Sequence, residues 1–149
     1  MKETKQVSQM IIKISENGLP RDAWKIRETV FIMEQGFQNE LDELDDSAVH
    51  LVLYDDKGCP AGVCRIFPSE KPEEYILGRL AVLKEQRGKH IGEKVVKEAE
   101  KYAASKGARV MKLHAQCQAS AFYEKIGYHP YGDIEEEEGC PHIWMKTSL

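Results

Sequence analysis

Apolar positions along the chain fall into two patterns. Short apolar or alternating runs read as strands, and longer stretches with apolar residues three and four apart read as helices. Lys5 to Ser15, carrying Val7, Met10, Ile11, Ile12 and Ile14, predicts a first strand closed by the turn residues Asn17 and Gly18. Pro20 suits a first helical turn, and Ala23, Trp24, Ile26, Arg27, Val30 and Phe31 continue at helical spacing. The polar stretch from Gln35 to Ser47, with Glu40, Asp42, Glu43, Asp45 and Asp46, reads as a loop or a weak helix. His50 to Tyr54 is a short buried strand, Asp55 to Gly58 a turn, and Ala61 to Phe67 its antiparallel partner. After a turn at Pro68 to Pro72, Tyr75 to Leu83 predicts a third central strand.

The glycine-containing turn Gln86 to Gly92 opens the strongest helix, whose apolar face is Ile91, Val95, Val96, Ala99, Tyr102 and Ala103 and whose end is Gly107. A strand at Arg109 to Ala115, a short helix at Ala119 to Lys125, and two terminal strands separated by an acidic turn at Glu135 to Gly139 complete the order. The expectation is a mixed α/β or α+β domain. It contains a β-α-β unit at Tyr75 to Ala115 with a right-handed crossover.

Composition narrows the class. With 149 residues, 42% hydrophobic and 31% charged, the chain matches a single soluble domain spanning 1–149 that buries roughly two-thirds of its surface without staples. A formal net charge of −4, from 21 basic against 25 acidic residues, argues against a nucleic-acid binder. No apolar run reaches transmembrane length, and the segment around Met10 to Ile12 is too short for a signal peptide, so the expected compartment is the cytoplasm and no membrane partner is expected. Cys59, Cys64, Cys117 and Cys140 then read as reduced thiols, and no Cys or His pair has zinc spacing, so no metal is expected.

The most informative stretch is Leu80 to Lys94, where a strand meets a turn holding Gly88 and Gly92 and the turn runs straight into a helix. Unpaired amides and the helix dipole make such a turn an anion site. Lys84, Arg87, Lys89 and Lys94 make it locally basic against Glu85 and Glu93. A Walker A loop is excluded, because only three residues separate Gly88 from Gly92 and Glu93 follows; a dinucleotide fingerprint is excluded by His90. An ordinary strand-to-helix turn with solvated lysines is the plain alternative.

Arg87-Gly-Lys-His-Ile-Gly92, following Leu80-Ala-Val82, resembles the R/Q-x-x-G-x-G/A acyl-CoA loop of the GNAT superfamily of N-acetyltransferases. Ala119-Ser-Ala-Phe-Tyr-Glu-Lys-Ile-Gly-Tyr128 is similar to that superfamily's A-x-x-(L/F)-Y-E-K-x-G-(F/Y) segment. The two blocks stand in the family's order, and the likeness covers nearly the whole chain. Val30-Phe31 with Glu34-Gln35, the acidic Glu43 to Asp46, Gly78 to Val82, Leu113 to Gln116 and Pro141-His142 look most like the small bacterial ElaA-type branch. His90 replaces the loop's first glycine, and costs energy there if the position needs positive φ, although its amide survives. Gln116 stands where many members have Asn.

The resemblance implies a mostly antiparallel sheet of six to seven strands with a splayed parallel pair, flanked by about four helices. It also implies acetyl-CoA as co-substrate and a small-molecule or peptide amine as acceptor. The backbone of Leu80, Ala81 and Val82 would pair with the pantetheine arm. The amides of Gly88, Lys89, His90, Ile91, Gly92 and Glu93 would hold the pyrophosphate, with Arg87 and Lys89 adding charge. Phe122 would pack on the cofactor tail, or is an ordinary core aromatic.

Tyr123 would act as general acid toward the departing thiolate, or is a core tyrosine at a helix end. His114 is the leading base, with Glu34 and Glu74 behind it, His142 and His50 as further pocket groups, and water as a route needing no single base. Cys117 offers a covalent alternative to direct attack in a ternary complex. The acidic stretches Glu40 to Asp46 and Glu135 to Glu138 either attract a cationic amine or are solvated loops. A GNAT-fold acyl-CoA-binding or regulatory module without turnover, and a phosphate-ligand module unrelated to CoA, are the competing functions. A homodimer is compatible with the family.

Overall fold

The computed structural model describes residues 9–38 and 40–149. Seven strands form one sheet: β1 (Ile11–Ser15), β2 (Val49–Tyr54), β3 (Pro60–Pro68), β4 (Glu74–Val82), β5 (Val110–Gln116), β6 (His129–Glu137) and β7 (Cys140–Ser148), in the spatial order β1-β2-β3-β4-β5-β7-β6. Every neighbouring pair is antiparallel except β4 and β5. Among the described residues three α-helices accompany it, α1 (Arg21–Arg27), α2 (Ile91–Ser105) and α3 (Ser120–Lys125), against the four or so expected. Among the described residues no helix is long and apolar enough to cross a membrane.

Helices cover both faces of the sheet. The α2 stripe Ile91, Val95, Val96, Ala99 and Ala103 is buried against Leu51, Leu53, Cys64, Ile66, Leu77, Met111 and Leu113. On the opposite face Ala23, Ile26, Val30 and Phe31 pack on Val52, Val63 and Ala81. Gly62 permits α2 to approach so closely, since a Cβ there would come within 2.8 Å of Ile91 Cγ2. That contact fixes the N-terminus of α2 against β3, beside the end of β4.

Several boundaries depart from the sequence reading. β1 spans only Ile11–Ser15; residues 9 and 10 precede it, and the expected portion from Lys5 to Ser8 lies outside the described residues. Pro20 occupies the N-cap in extended geometry (φ −66°, ψ 150°) and not the first helical turn. The first helix keeps α-winding only to Arg27 and continues as a π-helix over Glu28–Glu34. Such wider winding carries Val30 and Phe31 onto the core while placing Glu34 at its end.

The acidic turn at Glu135 to Gly139 is also shorter than expected. β6 runs through Glu137, and the reversal rests on Glu138 and Gly139 alone, with φ of 50° and 76°. Two consecutive left-handed residues match the twist of a two-residue hairpin, so the glutamates before them remain in strand register, Glu135 opposite His142 and Glu137 opposite Cys140.

The feature that positions the site is a bulge in β4. Val63 pairs with Ala81 but Arg65 pairs with Gly78, so β4 carries one extra residue between them, and Arg79 stands there at φ 54°. The parallel pairing of β4 with β5 stops at Leu77 opposite Leu113. Beyond that point β4 still pairs with β3, while its other edge opens onto a wedge between β4 and β5.

Candidate active site

The wedge leads into a cavity of about 800 Å³. One end is built from strand β4 and the turn into α2. Leu80, Ala81, Val82, Arg87, Gly88, His90, Ile91 and Gly92 line it, together with Phe122 and Tyr123 of α3. The amides of Gly88 to Glu93 have no hydrogen-bond partner among the described residues, and no side chain caps α2. Six donors at the positive end of a 15-residue helix form an anion cradle.

Gly92 belongs to the helix and not to the turn. A Cβ at this position would approach Phe122 Cζ to 3.1 Å and Val82 Cγ2 to 3.7 Å, so the glycine lets the loop, α3 and β4 converge. His90 adopts the left-handed conformation, φ 61° and ψ 24°, with an exposed ring. The position that carries glycine in the motif does need positive φ, and histidine bears a cost of about 1 kcal/mol for it. His90→Gly is expected to raise stability by several tenths to about 1 kcal/mol, measured by urea unfolding, with acetyl-CoA affinity by calorimetry unchanged or improved.

The two cations expected to supplement the cradle are engaged elsewhere. Arg87 donates from Nη1 and Nη2 to Glu34 at 2.7 and 2.8 Å, and from Nε to the carbonyl of Val82 at 3.0 Å. Lys89 Nζ lies 3.2 Å from Gln86 Oε1, and neither Lys89 nor Glu93 lines the cavity. The Arg87 bridge ties the end of the π-helix to the loop, and Arg87 holds the Glu34 carboxyl below its ordinary pKa. Glu74 is tied to Lys112 at 2.6 Å. Both side candidates for the base are therefore held as ion pairs.

Tyr123 is buried among Phe122 and Tyr128, with ring centroids 5.0 and 5.9 Å away in edge-to-face contact. Its hydroxyl has no hydrogen-bond partner among the described residues. Burial pushes its pKa well above the usual phenol value, so the group stays protonated at any physiological pH.

Facing this end across the cavity is a polar wall on β5, β7 and β6. His114 stacks on Trp144 (4.7 Å, 25°) and lies 5.0 Å from the ring of His142. His142 Nδ1 donates to the Cys140 carbonyl at 2.8 Å, leaving Nε2 3.3 Å from Glu137 Oε2. His114 Nδ1 lies 3.5 Å from the same oxygen, and Nε2 lies 3.3 Å from Glu135 Oε1 without hydrogen-bond geometry. Alternation along the strands explains the grouping. His114 pairs with Trp144 and Gln116 with His142, so these side chains share one face, while Leu113 and Met145 point into the core. Sequence reasoning missed Trp144 and read Glu135 and Glu137 as part of a turn; the period-two pattern of His142, Trp144 and Lys146 was the available signal. Among the described residues no group of three or more His, Cys, Asp or Glu is placed to hold a metal ion.

The third wall comes from the segment after the π-helix. Within Glu40 to Asp46, Glu43 and Asp46 stay exposed, but Glu40, Asp42 and Asp45 are not open to a ligand, being tied to arginines. Arg27, fully buried, donates to Glu40 at 2.6 Å and to Asp45 at 2.8 and 3.1 Å; Arg65 binds Asp42 at 2.6 and 2.8 Å and Asp45 at 2.9 Å. Arg79, turned inward by its bulge, reaches Glu40 and Asp42 at 3.3 Å each. Three guanidinium groups thus match three carboxylates. His50 is buried outside the cavity, donating from Nε2 to the Asp45 carbonyl at 2.9 Å, with its pKa lowered chiefly by burial. Cys117 is half-buried and does not line the cavity.

A family model described as "Acetyltransferase (GNAT) domain" matches residues 12–149. The chain is 39% identical over 129 residues to the uncharacterized N-acetyltransferase YjcF of Bacillus subtilis, a match covering 84% of this chain and 89% of that one. A crystal structure described as an N-acetyltransferase of Lactobacillus plantarum superposes with a TM-score of 0.85 at 29% identity, over 94% of this chain and 98% of that one. Escherichia coli ElaA shares the fold, with a TM-score of 0.77 at 23% identity over 92% and 99% of the two chains.

Proposed function

Because the chain belongs to the GNAT acetyltransferase family, with its match running from residue 12 to 149, we propose that it moves an acetyl group from acetyl-CoA to a primary amine by direct attack in a ternary complex. The observation that carries this reading is one cavity reaching from Gly88, His90, Ile91 and Gly92, whose amides are unpaired among the described residues, to the Tyr123 and His114 side chains. The amides bind the pyrophosphate, and the open edge of Leu80 to Val82 receives the pantetheine arm as an added strand. Phe122 packs beside that arm.

An alkylammonium with a pKa of about 10 must lose a proton before it can attack. His114 accepts it at Nε2, and the amine nitrogen bonds to the thioester carbonyl carbon. Collapse of the tetrahedral intermediate breaks the carbon–sulfur bond. The electron pair leaves on sulfur, toward which the Tyr123 hydroxyl supplies its proton. The second proton of the attacking nitrogen restores the Tyr123 hydroxyl, so one amide, one free thiol and one released proton balance the reaction.

Calorimetric titration with acetyl-CoA, followed by an amine panel read out as free CoA, tests the proposal. Saturable binding with CoA release is the expected result. Binding without release from any amine would leave a binding module, and absence of binding to folded protein would overturn acyl-CoA chemistry altogether.

A further inference from the structure

Resting on that reading, the polar wall bears on what the acceptor is. His114, Trp144 and His142 form a continuous slab of rings, and the edges of its two imidazoles face the hairpin carboxylates Glu135 and Glu137. Glu137 Oε2 is shared by both imidazoles. His114 Nε2 is enclosed by protein yet has no hydrogen-bond partner, an unsatisfied polar atom at the mouth of a carboxylate pair. A donor brought by a substrate reaches and satisfies it by displacing the exposed Glu135 carboxylate, which lies 3.3 Å away.

The other charges around the cavity are already matched. Arg65 and Arg79 line it, but Asp42, Asp45 and Glu40 neutralise them. Lys112, 5.4 Å above Trp144, is paired with Glu74. Arg87, the third lining guanidinium, is held by Glu34, so among the described residues no unpaired lining lysine or arginine is left to receive an acidic group on the acceptor, whereas Glu137, which lines the cavity, and Glu135 beside it have only imidazoles as ion-pair partners. The lining also carries the aromatic rings of Phe31, Phe37, Phe67 and Trp144, beside the polar Gln35, Gln116 and Glu138. Few polar groups in an apolar pocket are what fixes the orientation of a small ligand.

We propose that the acceptor is a primary alkylammonium on an uncharged apolar or aryl group, with no carboxylate beside the amine, and that Glu135 and Glu137 determine this specificity. The ammonium docks between the two carboxylates with its nitrogen toward His114 Nε2. The proton given up at Nε2 passes to Glu135, the more exposed of the hairpin partners, and then to water. His142, anchored on the Cys140 carbonyl, positions Glu137.

Steady-state acetylation of 2-phenylethylamine, phenylalanine and propylamine by the whole chain tests this, with CoA release as the readout. Calorimetric binding of 2-phenylethylamine to the CoA-saturated protein gives a second measurement independent of turnover. The wild-type protein should prefer 2-phenylethylamine to phenylalanine by at least about tenfold in kcat/KM, and to propylamine by a smaller margin. Glu137→Gln should weaken 2-phenylethylamine binding about fivefold or more, chiefly in KM, and Glu135→Gln with Glu137→Gln should narrow the discrimination against phenylalanine. Acetyl-CoA affinity should be unchanged in both.

Equal use of phenylalanine, or an unchanged preference in the double variant, would overturn the acceptor class while leaving acetyl transfer intact. Failure of acetyl-CoA to bind would instead remove the reading beneath it, and the acceptor class with it.

Discussion

Tyr123→Phe is expected to lower kcat for acetyl transfer by about 10²- to 10³-fold while leaving acetyl-CoA affinity within about twofold. The substitution deletes one oxygen and keeps the ring, so the edge-to-face contacts with Phe122 and Tyr128 persist. It also removes a hydroxyl with no protein partner to orphan, so stability should change little. Only an interaction made late in the reaction is lost. Burial holds the phenol above its usual pKa, and the same enclosure makes a departing thiolate more basic than the ordinary value of about 8.5. A proton shared between the two is therefore better matched inside the cavity than in water. Single-turnover kinetics with a good acceptor, set beside calorimetric affinity for acetyl-CoA, separates the two quantities. A variant with undiminished kcat would remove Tyr123 from the mechanism.

The geometry of the anion cradle was legible because it is carried by backbone in a local motif. A strand, a turn and a helix start within the 15 residues from Leu80 to Lys94 suffice to place the amides, whatever the side chains do. Side-chain roles in the same motif transferred less well. Arg87 and Lys89 were expected at the pyrophosphate, but their side chains are engaged by Glu34 and Gln86. The polar wall opposite the cradle was poorly legible for a different reason. Its residues come from β5, β6 and β7, and only register brings them together: had β6 ended at Glu135, Glu137 could not stand over His142. The left-handed pair Glu138 and Gly139 decides that register, and a single Glu-Gly dipeptide in an acidic run is a weak signal for it. The bulge at Arg79 was invisible for a like reason, since nothing in Gly-Arg-Leu-Ala-Val reveals where an extra residue is absorbed.

Arg27→Ala is expected to cost about 3–5 kcal/mol, the largest stability effect of any single substitution considered. In the sequence Arg27 looks like one position of an amphipathic helix; in the structure its guanidinium is fully enclosed and supplies the donors for Glu40 and Asp45. Truncation leaves the Glu40 carboxylate without its short bond and Asp45 dependent on Arg65. For a chain of this length the loss corresponds to roughly 10 °C in Tm. The pH dependence has a definite sign. Burial raises the pKa of Glu40 against the pull of Arg27, and removing Arg27 raises it further. A carboxyl whose folded pKa exceeds its unfolded value opposes folding at neutral pH, and that cost shrinks as pH falls toward the unfolded value. Asp42 and Asp45 behave oppositely. Held low chiefly by Arg65 and by Arg27 respectively, they stabilise the fold above the ordinary carboxylate range and lose that contribution only as pH falls below about 4. Urea unfolding should therefore show a gap between wild type and Arg27→Ala that is widest at pH 7.5 and narrower at pH 5. A gap independent of pH would mean that lost packing, and not an orphaned carboxylate, accounts for the effect. Because Glu40 also lines the cavity, a pH-dependent gap would further mean that the charge holding this third wall of the cavity in place is the one holding that segment folded.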